Sequence, residues 1–535
     1  MIPCRGAGQK KFLLMRISDG DGHYFRYMAL YRTRSAAVYG IDAHLIDVEV
    51  DMAQAGSSRD FITVGMPDTA IRESRERIKS ALLNSGFGYP TRSVTINLAP
   101  ANVRKEGAGF DLPMAMGILG AMGVFTNSEQ HLMVGELSLD GFIRPVRGAL
   151  SMAVCAKQKG IPNVVVPEEN AAEAAVVEGV NVYGVKHLGE AVSVFTQPDR
   201  LLPARPQSGS EAGSEAENSL DFADVRGQTI AKRALEVAAA GGHNLLMIGP
   251  PGSGKTMLAR RFPGILPPLS FAEALETTQI HSVAGALAKG AGLLSARPFR
   301  APHHTISDAG LIGGGSGVPR PGEVSLAHNG VLFMDELPEF ARNVLEILRQ
   351  PLEEGSVSLA RSNMSLTFPA AFMLLGAMNP CPCGFFGDRA KDCRCTGAQI
   401  QRYVGKISGP LLDRIDIHIE VPAVDYKELR GQGDGVTSRQ MRQRVAEARA
   451  MQQERGFANA RLPSAQLRGA CQLDDSGERT LEMAVRKLSL SARSHDRLLK
   501  VARTIADLAG QQQVQAKHIA EAVQYRSLDR EYWSA

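Results

Sequence analysis

The chain carries, at positions 249–256, the octapeptide Gly249-Pro250-Pro251-Gly252-Ser253-Gly254-Lys255-Thr256. It fits the phosphate-binding pattern G-x-x-x-x-G-K-[ST], and it lies between an apolar run at 244–248, which predicts a buried strand, and a predicted helix at 256–261. In such a loop the backbone N–H groups surround phosphate oxygens, Lys255 reaches the terminal phosphates and the Thr256 hydroxyl suits Mg²⁺. The octapeptide therefore predicts a site for a nucleotide and Mg²⁺.

Two acidic residues follow a second apolar run. Residues 330–334 read Gly-Val-Leu-Phe-Met, and Asp335 and Glu336 come next. This is the pattern of a buried parallel strand whose carboxyl end faces a nucleotide. Alone, the pair would indicate a strand followed by a solvated turn. Downstream of a phosphate-binding loop, we expect Asp335 to hold Mg²⁺ and Glu336 to orient the attacking water.

Two further polar residues are candidates for hydrolysis. Asn379 ends the apolar run at 372–378 and can sense the terminal phosphate. Arg414 stands between Asp413 and Asp416. From the residues alone, Arg414 is either a structural salt-bridge residue or an arginine finger offered to the nucleotide of a neighbouring subunit.

Composition places the chain among globular proteins. It has 535 residues, 44% apolar and 22% charged, with seven cysteines and a formal net charge of +4. This length predicts three or four domains. No apolar run is long enough to span a bilayer, and the N-terminus lacks the apolar core of a signal peptide, so we expect a cytoplasmic protein without a membrane partner. Any nucleic-acid binding must come from local patches.

The pattern along the chain predicts five segments. Residues 1–27 form an irregular leader, and we hypothesise that the native chain begins near Met28 rather than at Met1 or Met15. Residues 28–200 alternate strands and helices and predict an α/β domain. Residues 201–222 predict a linker, residues 223–425 an ATPase core, and residues 426–535 a helical region. The stretch 427–535 has nineteen lysines and arginines against thirteen acidic residues.

Four cysteines lie close together in the sequence. Two C-x-C pairs, Cys381/Cys383 and Cys393/Cys395, follow Asn379. Four thiols in a cytosolic protein suggest a closed structural Zn²⁺ site that stiffens a loop near the nucleotide. The alternative is four reduced thiols in a loop, since the spacing is tighter than the usual C-x₂₋₄-C.

Taken together, these motifs resemble the ComM/YifB family of magnesium-chelatase-like AAA+ ATPases. The resemblance covers about residues 28–535 and rests on the phosphate loop, the acidic pair and four segments, which are 300–305 (Arg-Ala-Pro-His-His-Thr), 379–384 (Asn-Pro-Cys-Pro-Cys-Gly), 411–416 and 502–508. It implies an AAA+ core with a C-terminal helical lid. It also implies that Asn379 is sensor 1, Arg414 the arginine finger and Arg493 sensor 2, with Arg497 the near alternative. A homohexameric ring follows, because an arginine finger acts across a subunit boundary.

The resemblance also implies loops that line a pore. An insert at 298–321 contains Arg320, and a hairpin at 356–367 has Arg361 near its tip. Both arginines are candidates for contacts with DNA phosphates. The alternative is that they are solvated surface residues, which are common.

Residues 28–200 resemble the proteolytic domain of Lon proteases, a ribosomal S5 domain 2-like α/β fold. The segment 135–141, Gly-Glu-Leu-Ser-Leu-Asp-Gly, carries this likeness. Lon chemistry needs a serine activated by a lysine. Gly109 or its neighbour falls where the serine is needed, and Leu150 falls near where the lysine is needed, so we predict no peptidase activity.

The leading hypothesis is an ATP-driven motor that moves branched or single-stranded DNA, as the family resemblance implies for branch migration in transformation and recombination. Three alternatives are a magnesium-chelatase-like subunit driving metal insertion, an ATP-dependent protease, and a remodelling factor that acts on proteins. The missing serine and lysine disfavour the protease, and the cysteine cluster and the basic helical region disfavour the chelatase.

Overall fold

The computed structural model describes residues 15–18, 24–27, 30–53, 60–205, 220–315, 317–361, 364–388, 391–424, 435–488 and 490–526. The chain divides into two compact units. Unit 1 comprises residues within 1–210, 278–294 and 316–320, and unit 2 comprises those within 211–277, 295–315 and 321–535. Within these described ranges, no helix has the length and apolarity needed to cross a membrane.

Unit 1 is an α/β unit. Its strands are β1 (Met15–Ser18), β2 (Tyr24–Tyr27), β3 (Leu30–Tyr39), β4 (Asp42–Ala53), β5 (Phe61–Val64), β6 (Ser93–Ala99), β7 (His131–Met133), β8 (Glu136–Leu137), β9 (Ile143–Arg144), β10 (Asn163–Pro167) and β11 (Asn181–Val185). Its helices are α1 (Thr69–Asn84), α2 (Asp111–Ala121), α3 (Ala149–Gln158), α4 (Glu168–Ala174) and α5 (Leu188–Thr196).

Seven strands of unit 1 form one mixed sheet in the order β11-β10-β7-β3-β4-β6-β5. The long strand β4 buries alternate residues, Ile46, Val48 and Val50, as expected for a strand with one face on the core. Helix α2 is buried at every position, and Val50 packs so closely on Gly117 that a larger side chain at 117 would collide with it. The leader, which the sequence predicts to be irregular, contains the antiparallel pair β1/β2.

Unit 2 contains the remaining elements. Its strands are β12 (Leu245–Ile248), β13 (Phe299–Arg300), β14 (Gly313–Gly314), β15 (Arg320–Pro321, of which Arg320 belongs to unit 1), β16 (Val331–Met334), β17 (Ser356–Arg361), β18 (Met364–Pro369), β19 (Met373–Met378) and β20 (Ile417–Glu420). Its helices are α6 (Thr229–Gly241), α7 (Lys255–Arg261), α8 (Phe271–Ala284, whose last turns lie in unit 1), α9 (Asp308–Ile312), α10 (Glu323–Leu326), α11 (Arg342–Ile347), α12 (Arg349–Glu354), α13 (Gly397–Val404), α14 (Gly409–Leu412), α15 (Ser438–Glu454), α16 (Ser464–Ala470), α17 (Asp475–Leu488), α18 (Ala492–Leu508) and α19 (Ala516–Gln524).

A five-stranded parallel sheet, ordered β13-β16-β19-β12-β20, positions the predicted site. The strand before the phosphate loop, β12, and the strand before the acidic pair, β16, are separated by β19. The carboxyl ends of parallel strands meet at one edge, so the loops after β12, β16 and β19 converge there. This confirms the predicted P-loop core and the α/β class.

The helical region packs on the ATPase core. One hydrophobic cluster joins Leu235 of α6 and Leu245 of β12 to Val445 of α15 and Leu498 of α18. The core and the helical region, which the sequence separates at about residue 425, therefore lie in one compact unit. The predicted linker at 201–222 lies outside the described residues except for 201–205 and 220–222.

Candidate nucleotide site

The phosphate-binding loop connects β12 to α7. Two of its glycines, Gly252 and Gly254, have φ of 79° and 91°, a left-handed backbone that glycine adopts without steric cost. Gly254 is the last residue before α7 begins at Lys255. The free N–H groups of a helix N-terminus and the turns before it form a natural anion site, which suits nucleotide phosphates.

Lys255 lies folded over this loop. Its ammonium Nζ donates to the carbonyl oxygens of Gly249 at 2.7 Å and of Pro250 at 2.9 Å. The residue is buried, and burial lowers the pKa of Lys255, while the charges of Asp335 and Glu336 act in the opposite direction. A buried cation held only by neutral carbonyls gains strongly from an anionic partner, which is what a phosphate supplies.

Thr256 and Asp335 meet across the sheet edge. The Thr256 hydroxyl donates to Asp335 Oδ2 at 2.6 Å, and Asp335 Oδ1 accepts from the Glu336 N–H at 3.0 Å. Hydroxyl and carboxylate oxygens are ligands that Mg²⁺ accepts, usually with waters and nucleotide phosphates completing the shell. The two predicted Mg²⁺ ligands are therefore in contact.

Glu336 is exposed at the same edge and has a φ of 53°. His304 Nδ1 lies 3.6 Å from Glu336 Oε2, and its ring lies beside that of His303, with centroids 4.1 Å apart and the ring planes tilted by 33°. The contact of His304 with Glu336 was not predicted from the sequence. Residues 301–304 directly follow β13, which pairs with β16, and this tertiary arrangement brings His304 to Glu336.

Asn379 directly follows β19, the strand between β12 and β16. Its Oδ1 accepts from Lys255 Nζ at 3.3 Å, and its backbone is hydrogen-bonded by the Tyr403 hydroxyl. The structure thus brings together Lys255, Thr256, Asp335, Glu336 and Asn379.

Arg414 lies at the opposite end of the sheet, near the amino-terminal ends of the strands. Its carbonyl accepts from Nδ2 of Asn244, the residue that precedes β12, whereas the phosphate loop follows β12. A four-residue strand spans about 13 Å. The guanidinium is buried, donates to the Pro410 carbonyl at 2.6 Å and forms an ion pair with Glu353.

The sensor 2 candidates also lie away from the phosphate loop. A hydrogen bond from Arg414 holds the pKa of Glu353 below its usual value, and the nearby charge of Arg493 lowers that pKa further. Arg493, which is exposed, is thus close to the Arg414–Glu353 pair. Arg497 Nη1 contacts Asp416 Oδ1 at 3.3 Å, just before β20.

The four predicted zinc ligands form a cluster. The Sγ atoms of Cys381, Cys383, Cys393 and Cys395 all lie within 4.8 Å of one another. Three of the separations are 3.3, 3.7 and 3.6 Å. Four sulfurs at about 2.3 Å from a tetrahedral Zn²⁺ are about 3.8 Å apart, so the cluster has the size of a zinc site.

The predicted DNA contacts are only partly described. Arg320, in unit 1, is exposed. The hairpin predicted at 356–367 is present as the antiparallel pair β17/β18, and Arg361 ends β17, but its side chain lies outside the described residues.

Gly109 and Leu150, at or near which the sequence predicts the Lon serine and lysine to be missing, have apolar surroundings in unit 1. A Cβ placed on Gly109 would lie 3.5 Å from a methyl of Val146 and 3.7 Å from one of Val134. Leu150 is completely buried. Lys105, the lysine of the same segment, is also buried, and its ammonium donates to the Pro100 carbonyl.

Comparison with known proteins gives the family of the chain. Family models described as "Magnesium chelatase, subunit ChlI", "Subunit ChlI of Mg-chelatase" and "Magnesium chelatase, subunit ChlI C-terminal" match residues 221–429, 48–170 and 435–526. The competence protein ComM of Haemophilus influenzae is 44% identical over 508 residues, which cover 94% of this chain and 98% of that protein. The chain belongs to the ComM/YifB family of magnesium-chelatase-like AAA+ ATPases.

Two other relatives define the extent of the likeness. YifB of Escherichia coli, described as uncharacterized, is 43% identical over 94% of this chain and 98% of its own length. Lon protease 2 of Bacillus subtilis is 27% identical over 29% of this chain and 31% of its own length. Membership of the ComM/YifB family implies ATPase activity in general, with ATP and Mg²⁺ as its cofactors.

Proposed function

We propose that this chain is an ATP-dependent DNA motor, a branch-migration helicase that assembles as a homohexameric ring and moves branched DNA during homologous recombination. The division of the site carries this proposal. The carboxyl ends of the strands carry Lys255, Asp335, Glu336 and Asn379, whereas Arg414 lies near the amino ends. An arginine so placed reaches the terminal phosphate of another copy only, so each complete site needs two subunits.

Arg414 then has two states. In one it is buried with Glu353 in its own subunit, and in the other its guanidinium stabilises charge on the nucleotide of the next subunit. Arg493 lies near the same pair and would act on the same neighbouring nucleotide. The exchange of Arg414 between Glu353 and a phosphate couples hydrolysis to movement of one subunit against the next.

DNA is the proposed substrate for two reasons. A relative that shares 98% of its length with this chain is a competence protein, a term for proteins of DNA uptake. The C-terminal stretch 427–535 has an excess of basic residues. Arg320 and Arg361 are the proposed contacts with the DNA backbone, and DNA lies in the cytoplasm, the proposed location. Affinity should fall steeply with salt, because phosphate contacts release counterions.

ATPase rate with and without DNA tests the substrate. We expect single-stranded DNA or a four-way junction to raise the rate of ATP hydrolysis several-fold. We also expect the chain to bind a labelled four-way junction and, with ATP, to convert it by branch migration into separate duplexes. Lys255→Ala is the control, which should bind the junction without converting it into separate duplexes. No stimulation and no binding would contradict the proposal and favour the chelatase-like or protein-remodelling alternatives.

Mixing two inactive variants tests the shared site. Arg414→Ala retains its own Lys255, and Lys255→Ala retains its own Arg414. Mixed rings therefore contain some sites with both residues, and we expect the mixture to recover part of the wild-type hydrolysis rate. Absence of recovery in rings shown to be mixed would place Arg414 in a structural role.

We also propose that the four-cysteine cluster holds one Zn²⁺. The support is the spacing of the sulfurs and the burial of Cys381. Metal analysis of the purified chain should give about one zinc per subunit, and Cys393→Ser should remove it. A wild-type chain without zinc would contradict this assignment.

A further inference from the structure

The cysteine loop, residues 380–396, touches the phosphate-binding loop. Gly384 has a φ of 85° and its N–H donates to the Cys381 carbonyl at 2.9 Å, which closes a tight turn between the first two thiols. A Cβ on Gly384 would lie 2.5 Å from Cδ of Pro251. Only a glycine therefore lets the cysteine loop pack against the phosphate-binding loop at this point.

The start of the cysteine loop is also joined to the nucleotide site. Asn379 lies two residues before Cys381, and its side chain accepts from Lys255 Nζ. The hydroxyl of Tyr403, a residue of α13, forms a hydrogen bond with the backbone of Asn379. The position of the amide that faces the nucleotide is thus fixed by the strand before it and the helix after the cysteine loop.

The end of the cysteine loop is equally well anchored. Thr396 follows Cys395 and caps α13, since its Oγ1 accepts from the Gln399 N–H while Gln399 Oε1 accepts from the Thr396 N–H. Both ends of the loop are therefore attached to the folded core. The four thiols of the cluster lie between these two anchored ends.

We propose that Zn²⁺ bound by the four thiolates keeps the phosphate-binding loop in its nucleotide-binding shape, through the contact of Gly384 with Pro251, so that ATP affinity depends on zinc. This rests on the zinc assignment and the nucleotide site proposed above. Mutation of the partners that orient metal ligands typically lowers metal affinity or activity by about 10- to 100-fold, and we expect an effect at the lower end of this range for the contact with the phosphate-binding loop. The zinc would thus act as a brace for the nucleotide site without contacting ATP.

A pair of glycine variants isolates the contact. Gly384 and Gly387 lie in the same loop with φ of 85° and 75°, but a Cβ on Gly387 meets nothing within 4 Å. Alanine therefore strains the backbone at both positions and obstructs Pro251 only at 384. With a fluorescent ATP analogue and Mg²⁺, we expect Gly384→Ala to bind about tenfold more weakly than Gly387→Ala, with zinc retained in both.

A cysteine pair isolates the metal. Cys393→Ser should lose zinc and bind the analogue about tenfold more weakly, whereas Cys155→Ser, a buried cysteine of unit 1, should change neither. Thermal unfolding verifies that each variant is folded.

Several outcomes are decisive. Equal binding by zinc-loaded Gly384→Ala and Gly387→Ala, or wild-type affinity in zinc-free Cys393→Ser, overturns the inference. A wild-type chain that binds no ATP analogue overturns the nucleotide site and the inference together. A wild-type chain that binds ATP but does not respond to DNA removes the DNA motor and leaves the zinc brace standing.

Discussion

Two aspartates show how differently the two units treat an acidic residue. Asp335, in unit 2, is partly exposed at the carboxyl edge of the sheet and accepts the Thr256 hydroxyl. Asp111, in unit 1, is completely buried, and Arg77 donates to both of its oxygens at 2.7 and 3.1 Å. Burial raises the pKa of Asp111 to about 6, and the Arg77 hydrogen bond offsets part of that rise. The Asp335 carboxylate is available to a metal, whereas the Asp111 carboxylate is buried and paired with Arg77.

This contrast shows that a chain can keep the fold of a family without keeping the side chains that carry out the family's reaction. Unit 2 has the nucleotide-binding fold and also the side chains that we expect hydrolysis to use, with hydrogen bonds joining Lys255 to Asn379 and Thr256 to Asp335. Unit 1 contains residues 28–200, whose sequence resembles a Lon protease domain, and Gly109 and the buried Leu150 stand at or near the positions where that resemblance predicts the serine and the lysine. A match to a protease family therefore carries no peptidase function unless the reacting side chains are present.

The largest expected effect is loss of hydrolysis in Lys255→Ala. Removing the buried ammonium takes away the cation that faces the terminal phosphates, and we expect the ATPase rate to fall by about 10³-fold or more. The control is Arg260→Ala, an exposed cation on the same helix, which should retain the wild-type rate. Substantial hydrolysis by Lys255→Ala would show that unit 2, like unit 1, keeps its fold without its chemistry.

A smaller loss is expected for Glu336→Gln. The glutamine side chain can still accept a hydrogen bond from His304, but it is a poor base for the attacking water. The rate of ATP hydrolysis should therefore fall by about 10²-fold while ATP binding persists. The matched control is Glu339→Gln, a surface glutamate 3.4 Å from Lys406, which should hydrolyse ATP normally. Wild-type turnover by Glu336→Gln would remove the assigned role of Glu336.

The sequence predicted the nucleotide site because its signals are local. The octapeptide and the apolar runs ending at Asp335 and Asn379 each report a strand and the residue at its end. Since parallel strands share a carboxyl edge, the meeting of these residues follows from the pattern. The bounds of the flanking elements were also close: the strand predicted at 244–248 is Leu245–Ile248, and the helix predicted at 256–261 is Lys255–Arg261.

The contacts that were missed join segments far apart in the chain. The position of β19 between β12 and β16, the approach of His304 to Glu336 and the packing of Gly384 on Pro251 depend on tertiary geometry, which a sequence pattern does not encode. The pairing of Arg414 with Glu353 is of the same kind. The β1/β2 pair was missed because short strands with mixed polar residues give no clear period.

The Asp111 side of the comparison predicts a pH effect on stability. The pKa in the folded chain is raised to about 6 from an ordinary value of 3.8, so the folded state binds more protons between pH 4 and 6. The free energy of unfolding of unit 1 should therefore fall as pH rises through this range, by about 3 kcal/mol at most. Hydrogen exchange of α2, measured across this range, should show the fall in wild type. Asp111→Asn should flatten it, whereas Asp42→Asn, an exposed residue of β4, should not.

The smallest effect is expected at Gly109. A serine Cβ there meets only Val146 and Val134 at ordinary van der Waals distances, so Gly109→Ser should fold with a stability change of about 1 kcal/mol or less. Leu150 is apolar and the Lys105 ammonium donates to the Pro100 carbonyl, so neither residue is placed to activate a serine hydroxyl at 109. We expect neither wild type nor Gly109→Ser to degrade casein with ATP, and both to hydrolyse ATP at the same rate. Casein degradation by wild type that survives Lys255→Ala but not a change at Gly109 would show a second chemistry in unit 1 and end the contrast between the two units.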